Sequence, residues 1–471
     1  MRTCLILEGC YPYVRGGVSS WTHQFILAMP ETEFVLWLLG AESSKKGQFK
    51  YELPKNVVEV HEVFLSDAYI DNGKKSKIPS FTPSQEVALS ELLNCGNPDW
   101  NVIFKMFSGN KAAPSTFLRN EVFIEQVNAL CEKNFQYISY SDFFYTVRSM
   151  MIPLIFLLMQ DVPKADLYHS LATGYCGLMG SMASEKYNAP FLVSEHGIYT
   201  REREEEVLQA DWITPYLKNL WIDLFSMFSK CAYNHAYAVT SLYGAAKDIQ
   251  LQLGCNESKA SVIPNGVRYE DFSDIPEKIS AENDKISIGA VVRFAPIKDI
   301  KTMIYAFTEL KHNFPNAELD ILGDIDNEEY YQECVYLLEF LNISDINFVG
   351  QQNVKTYIGK FDFTILTSIS EGLPLAVLES MAAGRPVVAT DVGACREMLE
   401  KNDEYERCGI ICPPMDTSAL TSAMYRLCTD RGLRHEMSQI GRERAKKYYD
   451  YDNVLQKYKD IYEKAFEKEA V

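Results

Sequence analysis

Basic residues are in the minority: 46 Lys and Arg stand against 64 Asp and Glu, leaving a net charge of −18. Phosphate backbones are gripped by excess Lys and Arg, so nucleic acid is excluded as a partner class. A single nucleotide, which needs a few cations at one spot, is not excluded. Histidine is scarce too, with seven copies, and the twelve cysteines are scattered. Cys408 and Cys412 are the closest pair, and no second pair or nearby histidine completes a zinc set. Long apolar runs are missing. Residues 150–160 form the longest, interrupted by Pro153, and about ten apolar residues fall short of the roughly twenty a membrane span needs. A buried helix is expected there. Residues 1–8 read as a strand rather than a signal peptide. Together these features predict a chain kept in a reducing cytoplasm, with peripheral docking to a membrane through a partner left open.

What is present is ordinary globular composition, 47% hydrophobic and 23% charged over 471 residues, enough for two or three domains. Short apolar runs at residues 3–8, 34–39, 57–63, 167–169, 191–195 and 237–240 predict strands divided by helical stretches. A second series, at 286–292, 318–322, 347–349, 363–366, 387–390 and 409–412, repeats the pattern. Strands alternating with helices predict parallel sheets covered on both faces, an α/β chain of two Rossmann-like domains. We expect a first domain over 1–275 with a helical insertion at about 66–149, an interdomain linker within 261–284, and a second domain over 276–450. A terminal helix at 451–471 is expected to cross back to the first. In such sheets ligands lie beyond the carboxyl ends of the strands.

The strongest local signal follows the strand at 363–366: Ser370-Glu371-Gly372-Leu373-Pro374, then a helix containing Glu379 and ending at Gly384. A proline suits a helix start, and the free amides near Gly372 and Leu373 make a positive end able to receive a diphosphate. Glu379 lies one and a half turns along, roughly 7–8 Å, where a ribose joined to that diphosphate would fall. Glu371 sits on the opposite side, where the sugar would lie. Arg293 and Lys298 follow the first strand of the second domain; two fixed cations there would stabilise charge building on a departing diphosphate. Gly16 and Gly17 precede the first helix and permit close backbone approach to a ligand. His196, in Ser194-Glu195-His196-Gly197, ends a strand of the first domain and is a candidate beside a donor sugar. His169 is a weaker candidate on the acceptor side. The run 201–206 reads as a solvated helix face, and Asp324 and Asp326 as ordinary loop carboxylates rather than metal ligands.

These groups, in this order, resemble glycosyltransferase family 4, retaining enzymes of the GT-B fold whose two Rossmann-like domains face each other across a cleft. The amino-terminal Glu8-Gly9-Cys10-Tyr11-Pro12-Tyr13-Val14-Arg15-Gly16-Gly17 and the segment Glu195-His196-Gly197-Ile198-Tyr199 are similar to the branch that serves Pel-type exopolysaccharide synthesis. The resemblance implies that Arg293 and Lys298 bind the donor diphosphate, Glu371 the sugar and Glu379 the ribose. His196 would lie beside the sugar and Gly16-Gly17 near the phosphates. It implies a UDP-sugar donor, a polysaccharide acceptor, membrane-bound synthase partners, retention of configuration and no metal or other cofactor. Two alternatives stay open: a nucleotide-sugar epimerase on the same scaffold, and a non-catalytic nucleotide-sugar-binding subunit of a synthase complex.

Overall fold

Thirteen strands are present among the described residues: β1 (Arg2–Glu8), β2 (Glu33–Gly40), β3 (Val57–Phe64), β4 (Leu167–Ser170), β5 (Phe191–Glu195), β6 (Ala238–Ser241), β7 (Ala260–Val262), β8 (Ile286–Val291), β9 (Ala317–Leu322), β10 (Ile346–Gly350), β11 (Phe363–Leu366), β12 (Val387–Thr390) and β13 (Gly409–Cys412). The computed structural model describes residues 1–70, 80–110, 112–278 and 285–467.

The first seven strands form one sheet in the order β3-β2-β1-β4-β5-β6-β7, and the last six form another in the order β10-β9-β8-β11-β12-β13. Every pairing is parallel. Parallel strands are covered on both faces, which is why they read as unbroken apolar runs. Phe34 to Leu39 of β2 are all buried, Trp37 completely. In each sheet the order reverses beside the first strand, between β1 and β4 and between β8 and β11. That switch point opens a crevice at the carboxyl ends of the strands.

The chain divides into two units: one comprises Met1–Ser241, Ala246–Val262 and the chain from Lys459, the other Leu242–Ala245 and Ile263–Tyr458. The division therefore falls at residue 262, not 275. The reason is local. Val267 pairs with Asp450 in an isolated parallel bridge, its N–H donating to the Tyr449 carbonyl at 2.7 Å, and Phe272 packs in the second core. The stretch read as linker thus begins with β7, an edge strand too short to show in the sequence, and continues into the second unit. Residues 279–284 of that stretch lie outside the described residues.

The connection from β3 to β4 carries helices Pro83–Leu93, Trp100–Phe107, Pro114–Phe117, Glu121–Asn134 and Tyr140–Leu158, so the predicted insertion is a helical elaboration of one crossover. Residues 71–79 and 111 of it are outside the described set. Tyr140–Leu158 is longer than the apolar run suggested. It is the one helix among the described residues long and apolar enough to cross a membrane by length and composition, yet Met150–Ile155, Leu157 and Leu158 are buried in the first unit's core. The terminal helix Tyr451–Glu467 gives its second half to the first unit, where Tyr462 is buried and Lys459 pairs with Glu31 at 3.3 Å.

Candidate active site

In the second unit the chain leaves β8 at Val291 and makes a tight 3-10 turn over Pro296–Lys298. Asp299, with φ of 45°, then caps the helix Ile300–Asn313 through the Thr302 N–H. The Thr367 hydroxyl, just past β11, donates to the carbonyls of both Lys298 and Asp299 at 3.0 Å. The Ile369 N–H donates to Ile297 at 2.8 Å. The loops after β8 and β11 are thereby stapled together across the switch point. As a result the Lys298 ammonium donates to Glu371 Oε1 at 2.6 Å, and the Ser368 hydroxyl donates to the same oxygen at 2.6 Å. Both charged side chains are largely buried, at 16% and 12% exposure, so their attraction is screened less than on an open surface.

Arg293 behaves otherwise. Its guanidinium donates to Asp326 Oδ2 at 2.7 Å, with both side chains about half exposed. The structure brings Lys298 to Glu371 and turns Arg293 toward the loop after β9. Asp326, read from the sequence as an ordinary loop carboxylate, is an ion-pair partner. Asp324 accepts from the Ile325 N–H at 2.9 Å. Among the described residues no group of three or more His, Cys, Asp or Glu is placed to hold a metal.

The Glu371-Gly372-Leu373 loop is clamped from behind. Gly393, at φ 54°, lies so close that a Cβ there would stand 2.2 Å from the Gly372 carbonyl oxygen, and the Ala394 N–H donates to that oxygen at 2.8 Å. Leu373 is buried. The helix begins at Leu375, with Pro374 as the residue before its first turn and no side chain capping it. An uncapped helix start presents N–H groups and the positive end of the helix dipole. Glu379 on this helix accepts no side-chain hydrogen bond among the described residues, and burial pushes its carboxyl up to about 7.

In the first unit Gly16 precedes and Gly17 opens the helix Gly17–Leu27, again without a side-chain cap. Gly16 has extended backbone that any residue can adopt, so conformation does not demand glycine there. A Cβ added at either position would meet nothing within 4 Å: the two glycines border open space. The ring of His196 lies edge-on to Trp21 of this helix at 4.5 Å. Its Nε2 is buried without a hydrogen-bond partner among the described residues, and burial lowers its pKa to about 4. Burial thus favours the neutral imidazole at pH 7. Its neighbour Glu195 is fully engaged, accepting from Tyr233 at 2.7 Å, Gln250 at 2.9 Å and Thr173 at 3.2 Å. That anchors the loop carrying His196.

His169 does not act on an acceptor side. It is completely buried, with Nδ1 at 2.8 Å from the Tyr462 hydroxyl and Nε2 at 2.8 Å from the Ser194 hydroxyl. Its strand-end position misled because β4 is short and central, covered on both faces. The run 201–206 also needs revision at one residue. Arg203 turns inward, its guanidinium 5.0 Å from the Tyr199 ring, while the Tyr199 hydroxyl donates to Glu8 at 3.2 Å. Glu8, at the carboxyl end of β1, has its second oxygen buried without a hydrogen-bond partner among the described residues, and burial raises its pKa. This trio was missed; the i, i+4 spacing of Tyr199 and Arg203 was the available signal.

Residues 1–258 match the family described as Domain of unknown function (DUF3492). The chain belongs to that family. Residues 271–444 of this DUF3492 chain match Glycosyl transferases group 1, and with that second half the chain is a group 1 glycosyltransferase. The MMP alpha-(1->4)-mannosyltransferase of Mycolicibacterium hassiacum is 25% identical over 295 residues, covering 62% of this chain and 69% of the relative. An Escherichia coli UDP-Gal:alpha-D-GlcNAc-diphosphoundecaprenol alpha-1,3-galactosyltransferase is 24% identical over 376 residues, covering 73% and 90%. Among solved structures, Anabaena Alr3699/HepE in complex with UDP superposes with a TM-score of 0.62 at 15% identity, covering 98% of this chain and 100% of that one. The fold is that of the GT-B glycosyltransferases, two α/β units each built on a parallel sheet.

Proposed function

We propose that this DUF3492 glycosyltransferase is a retaining enzyme that moves a hexose or N-acetylhexosamine from a UDP-sugar to a growing exopolysaccharide, in the manner of PelF. The observation that carries the donor half of this reading is the Lys298–Glu371 pair, held at 2.6 Å beside the uncapped start of the helix Leu375–Ala382. A diphosphate fits there: it takes N–H donors from the helix start and charge from Lys298 and Arg293. Glu371 faces the sugar and Glu379, whose carboxylate takes no hydrogen bond among the described residues, faces the ribose hydroxyls. Fixed donors aimed at the developing phosphate charge lower the barrier to C1–O cleavage without reorganising.

In the transfer step the bond from sugar C1 to the β-phosphate oxygen breaks and a bond from C1 to the acceptor oxygen forms. The acceptor proton passes to the departing phosphate on the same face, which gives retention. In the first unit, His196 offers a buried Nε2 with no hydrogen-bond partner among the described residues, a group able to hydrogen-bond a sugar hydroxyl. Lys298, Arg293 and the helix amides neutralise the diphosphate without a metal cofactor. Gly16 and Gly17 leave room for a ligand to approach the start of the first unit's helix. The scattered free cysteines favour a reducing cytoplasm and the net charge of −18 disfavours nucleic acid; membrane-bound synthase components are the partners that the Pel-type resemblance implies.

The test is transfer from a panel of UDP-sugars by wild type, Lys298→Ala and Glu371→Ala. Loss of turnover in both folded variants is expected. Near-normal turnover in either removes the mechanism, and conversion of donor without acceptor points to an epimerase instead.

A further inference from the structure

The ion pair between Arg293 and Asp326 has no place in the chemistry above, and it is built rather than incidental. The loop after β9 is zipped by its backbone to the segment carrying Arg293. The Phe294 N–H donates to Asp324 at 2.9 Å, while the N–H groups of Asp326 and Asn327 donate back to the Phe294 carbonyl at 3.3 and 3.0 Å. At the base of the loop, a Cβ on Gly323 would stand 1.8 Å from the Val292 carbonyl oxygen, so only glycine permits this approach. Asp326 is thus delivered to Arg293 by the main chain, not by chance contact of two long side chains.

A carboxylate offers guanidinium the same pair of acceptor oxygens that a phosphate does. Lys298 also holds a carboxylate, but Glu371 takes a second bond from Ser368. Asp326 accepts from Arg293 alone among side chains of the described residues and is half exposed. An exposed pair of this kind is weak enough to exchange.

We propose that Asp326 is the resting counter-ion of Arg293, a positioning residue that occupies the guanidinium until the donor diphosphate displaces it. This rests on the reading of Arg293 as a diphosphate ligand. Asp326 keeps the cation aimed and its charge compensated in the free protein, and its carboxylate competes with the nucleotide.

The experiment titrates UDP into wild type, Asp326→Asn, Asp326→Glu, Arg293→Ala and the Arg293→Ala/Asp326→Asn double variant, followed by ligand-observed NMR, which reaches millimolar affinities. Removing the competing charge is expected to tighten UDP binding two- to fivefold, the scale of an exposed ion pair. The kcat of sugar transfer should hold within twofold while KM for the donor falls. Asp326→Glu should restore wild-type affinity, and the gain should vanish on the Arg293→Ala background. Unchanged or weaker binding by Asp326→Asn, or an equal gain without Arg293, overturns the proposal. Failure of wild type to bind UDP or any UDP-sugar strikes the proposed function instead, so the two failures are distinguishable.

Discussion

Glu379 gives the sharpest quantitative handle on the donor half-site. Burial among apolar neighbours raises its carboxyl from an ordinary 4.5 to about 7. The folded chain therefore holds a proton that the unfolded chain has already released, and stability must fall as pH rises from about 4.5 to about 7, then level off. At about 1.4 kcal/mol per tenfold change in proton affinity, the full loss is about 3 kcal/mol, and about 2 kcal/mol is a fair expectation given that the side chain keeps some solvent contact. Glu379→Gln keeps the shape and removes the titration. Urea unfolding of wild type and Glu379→Gln between pH 4 and 8.5 should give matching stabilities near pH 4. By pH 8 the Gln variant should be about 2 kcal/mol more stable. If ribose hydroxyls donate to this carboxylate, UDP should bind wild type more tightly as pH rises through 7, while the variant binds weakly at every pH. Parallel stability curves would show that burial does not perturb this group. A UDP affinity independent of pH would take the ribose away from it.

Other outcomes follow from the same geometry. Gly17→Ala places a methyl in empty space and in a helix, so melting should hold or rise by the equivalent of about 0.5–1 kcal/mol while transfer falls at least tenfold; unchanged transfer would show that no ligand approaches there. His196 and His169 are held neutral, at about 4 and about 3, below the ordinary 6.5, so the folded chain binds fewer protons and loses stability as pH falls below about 6.5. His196→Asn should flatten part of that acid loss and cut turnover; a melting profile from pH 4 to 7 identical to wild type would contradict the burial effect. Tyr462→Phe removes one buried hydrogen bond to His169 and should cost about 1–2 kcal/mol without changing kcat, as measured by denaturant unfolding alongside transfer assays.

The sheet strands were legible because their faces are covered on both sides. Residues 363–366, 387–390 and 409–412 stand where the apolar runs placed them. What escaped was β7, whose three residues are only partly buried and carry no run. Residues 263–275, which join the second unit through a bridge to a residue far along the chain, escaped too. In the site, the meeting of Lys298 and Glu371 follows from parallel-sheet topology: loops after β8 and β11 must adjoin at the switch point. The pairing of Arg293 with Asp326, 33 residues away, depends on how one loop folds over its neighbour, which residue type does not encode. Glu8 was hidden because a carboxylate closing a strand looks like an ordinary solvated end, and its partner Tyr199 lies 191 residues on.

The helix Tyr451–Glu467 carries a consequence for synthesis. Tyr462, which fills the space against Phe25 and His169, follows that histidine by 293 residues in the chain. The sheet that holds His169 cannot seal that part of its interior until those 293 further residues have been made. A nascent chain stalled before this point would keep a wet seam beside the β4 histidine, and chaperones would find it there.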